Sequence, residues 1–296
     1  MPRTGQGAAA KKRWSGGTQP SYKDAAGGGP ANTLGENHEQ ARSAKRGLQM
    51  KGYRMTQVSV AALLLTGLLA VSTGEARAQS LPDLLEACKN EGAAAAARMT
   101  ACGRVIQGND EDLRGEALVQ RGVLYEQAGN KEAAIKDYSE AIKLDPSNAI
   151  AFFNRGNAYD QSGDYDKAIA DYSEAIKLEP NDADAYNNRG QAYDNKGEFD
   201  LAIADYTAAI RIDKEDSRAY YNRGLTRTNK GEFDKAIADF DQAIKLSPRD
   251  ADAYAGRASA YEELGNDAAA KADYRRALQI EPDHEDAKEG LERLQE

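Results

Sequence analysis

A fixed interval of 34 residues governs the chain from residue 115 onward. Gly122, Gly156, Gly190 and Gly224 follow it, as do Ala134, Ala168, Ala202, Ala236 and Ala270. Tyr138, Tyr172, Tyr206, Phe240 and Tyr274 keep the same step, followed by Ala141, Ala175, Ala209, Ala243 and Ala277. A second glycine series runs Gly129, Gly163, Gly197, Gly231 and Gly265, and Pro146, Pro180, Pro248 and Pro282 close four of the five copies. Self-similarity at this period marks an array that grows by stacking copies, not around one central core.

Each copy has its own physical logic. In 149–182, Phe152, Gly156 and Tyr159 lie at helical spacing and define one apolar stripe. Gly163-Asp164 interrupts it, and Ala168, Ile169, Tyr172, Ala175 and Ile176 define a second stripe that Pro180 stops. The unit is therefore predicted to be an antiparallel helix pair. Gly and Ala at the facing positions let the backbones approach, and the aromatic side chains fill the layer beyond. One pair cannot cover its own apolar face, so stacking is obligatory.

The order aromatic, Gly, Tyr, Ala, aromatic, Ala, Pro at this period resembles the tetratricopeptide repeat, in 115–148, 149–182, 183–216, 217–250 and 251–284. Arg227 replaces the first-helix Tyr, Lys214 the closing Pro and Ala258 the Gly. The resemblance implies an all-α, right-handed superhelical solenoid whose concave face, lined by first helices, holds extended peptides or helices of partner proteins. Residues 285–296, with Ala287, Leu291 and Leu294 on one side, are predicted to form a solvating cap helix.

The N-terminal part has a different character. Residues 1–49 are rich in Gly, Ala, Ser and basic residues without a sustained apolar period, a disordered composition. Lys51 and Arg54 then precede the apolar run Val58–Val71 and Ala76-Arg77-Ala78. That is the layout of a secretory signal peptide over 50–78, ending before Gln79. An uncleaved anchor is the alternative, although the run is short for a membrane span. Met50 and Met55 stand where translation of such a leader would begin, which leaves open whether 1–49 is translated. The expected destination is periplasmic or secreted, with no membrane span after cleavage.

Residues 79–114 read as a degenerate helix pair, Leu81–Glu91 and Ala93–Gln107, with Cys88 in the first helix and Cys102 in the second. In an exported chain these two invite a disulfide. Two inert buried thiols are the alternative.

Charge and composition remove several function classes. Residues 1–78 hold 11 Lys/Arg and 4 Asp/Glu, leaving 28 basic and 44 acidic residues in the body, a net −16. Such a body repels phosphate backbones and anionic membranes, so nucleic-acid binding is not expected. The two histidines, His38 and His284, stand at no metal-ligand spacing, and no cofactor motif is present. Carboxylates recur with the structural period, singling out no acid–base pair, so a non-catalytic protein is expected.

Carried onto the central copies, the family's groove positions are Ile150, Phe153, Asn157, Asp160, Asn187, Gln191, Asp194, Arg218, Tyr221 and Leu225. Amides beside apolar and aromatic groups suit a peptide backbone; a merely solvated face is the alternative. One branch of the family clamps chaperone tails with two Lys, two Asn and an Arg. The matching positions here are Phe153, Asn157, Asn188, Ala219 and Arg223, without the lysines, which argues against that ligand. Every copy also pairs an Arg (Arg121, Arg155, Arg189, Arg223, Arg257) with a second-helix Asp (Asp137, Asp171, Asp205, Asp239, Asp273). Strict co-repetition favours an internal Arg–Asp ladder over a row awaiting ligand carboxylates. The expected function is a protein-interaction scaffold. A self-associating solenoid and an auxiliary subunit of an envelope complex are the alternatives.

Overall fold

The computed structural model describes residues 79–294, which contain helices and turns and no strands. In chain order the helices are α1 (Leu81–Lys89), α2 (Ala95–Ile106), α3 (Glu111–Gln127), α4 (Lys131–Leu144), α5 (Ala149–Asp160), α6 (Tyr165–Leu178) and α7 (Ala183–Lys196). They continue as α8 (Phe199–Ile212), α9 (Ser217–Lys230), α10 (Phe233–Leu246), α11 (Ala251–Glu263), α12 (Asp267–Ile280) and α13 (Glu285–Arg293). The leader and the signal-like segment lie outside the described residues.

Local chemistry sets most boundaries. Asp110, Asn130, Asn148, Asp164, Asp182, Asp216, Asp250 and Asn266 each accept a backbone N–H from the first turn they precede, satisfying donors that a helix start leaves orphaned. Asp110 starts α3 at Glu111, so this helix runs across the predicted 114/115 boundary. The turn inside each pair needs a left-handed residue, and Gly129, Gly163, Gly197, Gly231 and Gly265 supply it at φ 72–83°. Asp166 and Asp200, in the first turns of α6 and α8, bind Lys196 and Lys230 of the next pair, at 2.7 Å each.

Packing is strictly sequential, and one asymmetry sets the curvature. First helices touch the first helices of adjacent pairs: α3 meets α5, α5 meets α7, α7 meets α9, α9 meets α11 and α11 meets α13. No two second helices touch among the described residues. The odd-numbered helices therefore line the tighter, inner side.

The core repeats with the sequence. Tyr138, Tyr172, Tyr206, Phe240 and Tyr274 are buried to within 2%. Each lies against a first-helix glycine; a Cβ on Gly156 would meet the Tyr172 ring at 2.8 Å and one on Gly224 the Phe240 ring at 2.9 Å. In the last copy Ala258 replaces this glycine. Gly256 lies on Phe240 and Gly290 of α13 on Tyr274.

At the N-terminal end Cys88 and Cys102 are bonded to each other and fully buried, and Arg98 Nε donates to the Cys88 carbonyl at 3.0 Å. At the other end α13 covers Ala258, Tyr274 and Ala277 with Ala287, Leu291 and Leu294.

Candidate functional site

The periodic arginines lie on the outer side. Arg155 donates from Nε and Nη2 to Asp171 at 2.7 and 2.8 Å, a fork-to-fork pair between the two helices of one copy. Arg121, Arg189, Arg223 and Arg257 do the same with Asp137, Asp205, Asp239 and Asp273, all within 3.0 Å. The remaining Nη1 reaches the preceding pair: Arg155 to Ser139 and Arg189 to Ser173 at 3.0 Å, Arg223 to Thr207 at 2.9 Å, Arg257 to the Asp241 carboxylate at 2.5 Å. These groups fill the wedge between second helices that do not touch.

Aromatic rings sheathe the same guanidinium groups. Arg155 lies 5.7 and 5.9 Å from the Phe152 and Tyr159 ring centres, and Arg189 5.6 and 5.9 Å from those of Tyr186 and Tyr193. The hydrogen bonds they donate to their aspartates hold Arg121, Arg155, Arg189 and Arg257 above the ordinary arginine pKa, against an opposing effect of burial. In this series the forked Nε and Nη2 donors, the pair that would grip a ligand's carboxylate, are already taken by aspartates.

The inner face is mixed. Ile150 is 46% exposed. Gln191, Asp194, Arg218, Tyr221 and Leu225 are half-buried, as is Asp160. Arg218 is held by Asp184 at 2.7 Å and Asp216 at 3.0 Å, while Tyr221 and Leu225 pack on Phe240 and Ala236.

Three sequence-predicted positions are corrected. Phe153 is 3% exposed and packs on Tyr172, with ring centres 5.9 Å apart, so it is a core residue and not a surface anchor. Asn187 is 3% exposed and Asn157 8%. Asn157 Oδ1 accepts from the Tyr172 hydroxyl at 2.8 Å and Asn188 Nδ2 at 2.9 Å, while Asn187 Oδ1 accepts from Asn222. These amides tie neighbouring first helices together. The same geometry dismantles the chaperone-tail clamp: Phe153, Asn157 and Ala219 are buried, Asn188 is engaged and Arg223 serves the outer seam.

Sequence reasoning named Asp160 and Asp194 but missed the row they belong to. Glu126, Asp160, Asp194 and Glu262 share the 34-residue interval near the end of each first helix. Glu126 and Glu262 accept from the Tyr138 and Tyr274 hydroxyls at 2.6 and 2.8 Å. In the one copy whose aromatic is Phe240, this position is Thr228. That coincidence was the available signal. Asp160 is too short to copy Glu126; Tyr172 turns to Asn157, and Asp160 Oδ1 is buried with no hydrogen-bond partner among the described residues. Burial pushes the Asp160 carboxyl up to about 6.

Other chemistry finds little footing. No group of three or more His, Cys, Asp and Glu among the described residues could hold a metal ion. No helix among them is long and apolar enough to cross a membrane.

Comparison with known proteins agrees with this architecture. Tetratricopeptide-repeat profiles match residues 183–216, 217–250 and 251–284, and a TPR repeat profile matches 122–163 and 156–197. A search of curated proteins found no match. Among solved structures, MamA is 30% identical with a TM-score of 0.52, over 54% of this chain and 94% of that one. YrrB, described as a TPR protein with an unusual peptide-binding site, is 24% identical with a TM-score of 0.56, over 66% and 99%. The Cut9–Hcn1 hetero-tetramer of the APC/C is 19% identical with a TM-score of 0.59, over 76% of this chain and 44% of that one. Proteins of this fold are in general scaffolds for protein or peptide partners. With matched repeats spanning 122–284, more than half the sequence, this chain belongs to the tetratricopeptide-repeat family.

Proposed function

We propose that the chain is a non-catalytic scaffold that holds an extended segment of a partner protein along its inner, first-helix face. The observation that carries this reading is the contrast between the two sides. The outer arginines are held in internal pairs, whereas the inner face offers Ile150, Gln191, Tyr221 and Leu225 at partial or high exposure. Apolar and aromatic groups with interleaved amides are what an extended peptide needs for side-chain and backbone contacts.

A library of extended decapeptides tests it. Ile150→Glu with Leu225→Gln should abolish capture while the helical circular-dichroism signal is kept. A photo-crosslinking residue at Ile150 should label bound peptide, and the same residue at outer-face Lys167 should not. Labelling at Lys167 alone would rule the inner face out. Concentration-dependent oligomers in sedimentation, with no peptide captured, would favour the self-associating alternative.

The protein is also proposed to work outside the cytoplasm, a destination supported by the signal-like segment 50–78 and the bonded Cys88–Cys102 pair. Mass spectrometry of the native protein should find a mature chain beginning at Gln79. Peptides from 1–49, or an intact apolar run, would contradict it.

A further inference from the structure

Helix α13 is fastened to the array differently from the first helices of the preceding copies. The residues that precede α5, α7, α9 and α11 are Asn148, Asp182, Asp216 and Asp250, and the same 34-residue step puts His284 before α13. The first four receive a backbone N–H on a side-chain oxygen. His284 receives it on a ring nitrogen, the Ala287 N–H donating to Nδ1 at 3.4 Å. Its other nitrogen, Nε2, lies 3.1 Å from Asp252 Oδ1 on α11. Both bonds exist together only when Nδ1 is bare and Nε2 carries the hydrogen, so the hydrogen-bond network assigns the neutral Nε2–H form to the cap.

An amide or carboxylate oxygen accepts throughout the range around neutrality, whereas imidazole takes up a proton in mild acid. That proton goes to Nδ1, where it points at the Ala287 N–H. Donor then faces donor, and the first turn of α13 loses its acceptor. The ring also becomes positive at a helix N-terminus, the end that disfavours positive charge. Because His284 is 6% exposed, water does not reach the site to replace the lost bond.

The neighbouring charges are few. On α11, Asp252 favours the protonated ring, but its side chain is 54% exposed and solvent screens it. Asp250, whose carboxyl burial raises, is engaged with the Ala253 N–H at 3.2 Å. Beside His284 in sequence, Asp283, Glu285 and Asp286 are exposed, and Lys288 holds Asp283 and Glu285 at 3.3 Å each. From α12, Tyr274 lies beneath Gly290 and donates its hydroxyl to Glu262 of α11. Glu262 also holds Arg293, at the far end of α13, at 3.0 Å. Against the effect of burial, the bonds from Arg293 and Tyr274 keep Glu262 below the usual glutamate pKa, so that end stays fastened in mild acid.

We propose that His284 is an acid-sensitive latch, whose protonation releases the first turn of α13 and loosens the cover over the last helix pair. The released form binds the extra proton without losing a bond, so its population rises as pH falls. Release uncovers the Ala258, Tyr274 and Ala277 surface that α13 otherwise closes.

Hydrogen exchange of the intact protein at about pH 7.5 and about pH 5, corrected for intrinsic rates, tests the latch. Protection in α13 should fall about fivefold or more on acidification, while α5–α8 keep theirs. His284→Asn supplies the cap used at Asn148 and should hold α13 protection within about twofold between the two conditions. Asp250 and Asp252 still titrate in that variant, so a loss that they cause would remain. Asp252→Asn removes the carboxylate that steadies the protonated ring and should enlarge the loss. Wild-type protection that is unchanged or higher in acid would overturn the proposal, as would an equal loss in His284→Asn. Disappearance of the loss in Asp252→Asn would assign it to that carboxylate and overturn the proposal too.

Discussion

On the outer side, every guanidinium of the Arg–Asp series has a carboxylate, and in four copies a second acceptor in the preceding pair. On the inner side, carboxylates differ from copy to copy, and at Asp160 the buried Oδ1 goes without a hydrogen bond among the described residues. The outer seam solves the same mechanical problem four times, bridging second helices that do not touch, so the same residues return. The inner face is held by helix-to-helix packing and is free to vary. Within a repeat array, identity across copies therefore marks what stacking requires, and the proposed partner site falls on the face that departs from it.

The sharpest way to break this comparison is to remove one carboxylate from the seam. Asp171 is 5% exposed and holds both forked nitrogens of Arg155. Asp171→Ala leaves a largely desolvated guanidinium without its partner and should cost about 3 kcal/mol in urea unfolding. A loss under about 0.5 kcal/mol, typical of a surface site, would show the seam to be decoration.

The seam begins at Arg121, and the pair before it, α1–α2, is held by the Cys88–Cys102 bond instead. The two cysteines are 14 residues apart, which in the chain-entropy model gives about 3 kcal/mol. Cys88→Ala with Cys102→Ala should lower protection from hydrogen exchange in α1 and α2 and leave α5–α12 nearly unchanged, because copies couple to nearest neighbours. Uniform loss along the array would contradict that division.

Much of this architecture was legible in the residues alone, for a physical reason. Gly156 beside Tyr172, the left-handed glycines and the Arg–Asp pairs must recur wherever a helix pair stacks, so they repeat visibly. The inner face was harder to read. The fifth position of each copy carries Val119, Phe153, Asn187, Tyr221 and Ala255, a variety that looks like surface. First helices lie directly side by side, so this position falls between them, and Val119, Phe153, Asn187 and Ala255 are buried. Variation there adjusts packing between copies. The missed carboxylate row failed differently: its members differ in length, and only the partnering tyrosine hydroxyls reveal that they share a place.

Asp160 tests the inner side of the comparison through pH. Its carboxyl is raised from 3.8 to about 6 in the folded chain. Between those values the folded state binds more protons than the unfolded one, so this group's contribution to stability declines as pH rises through that window. Above it the carboxylate is a standing penalty of roughly 3 kcal/mol. Asp160→Asn should therefore raise stability by about that amount at pH 7 and leave it nearly unchanged at pH 4, where the wild-type group is itself protonated. A gain equal at both pH values would mean the effect is not ionisation. A loss at pH 7 would mean that the carboxylate already has a stabilising partner.

The smallest expected effect probes whether the tyrosine–carboxylate link on the inner side is a real pairing or an accident of two columns. Phe240 and Thr228 stand together where other copies have a tyrosine and an acid, and Glu126 and Glu262 accept directly from their tyrosines. Phe240→Tyr alone places a hydroxyl at a fully buried ring with no glutamate to receive it and should destabilise by about 1–2 kcal/mol. Thr228→Glu alone should do little, its carboxylate remaining free to reach solvent. If the columns are coupled, the double variant should recover part of the Phe240→Tyr loss, giving a favourable interaction energy of about 1 kcal/mol in a double-mutant cycle. Simple additivity would sever the link. The absence of an acid at Thr228 would then owe nothing to Phe240, and the carboxylates at Glu126 and Glu262 would have to be explained by what binds the inner face instead of by what lies beneath it.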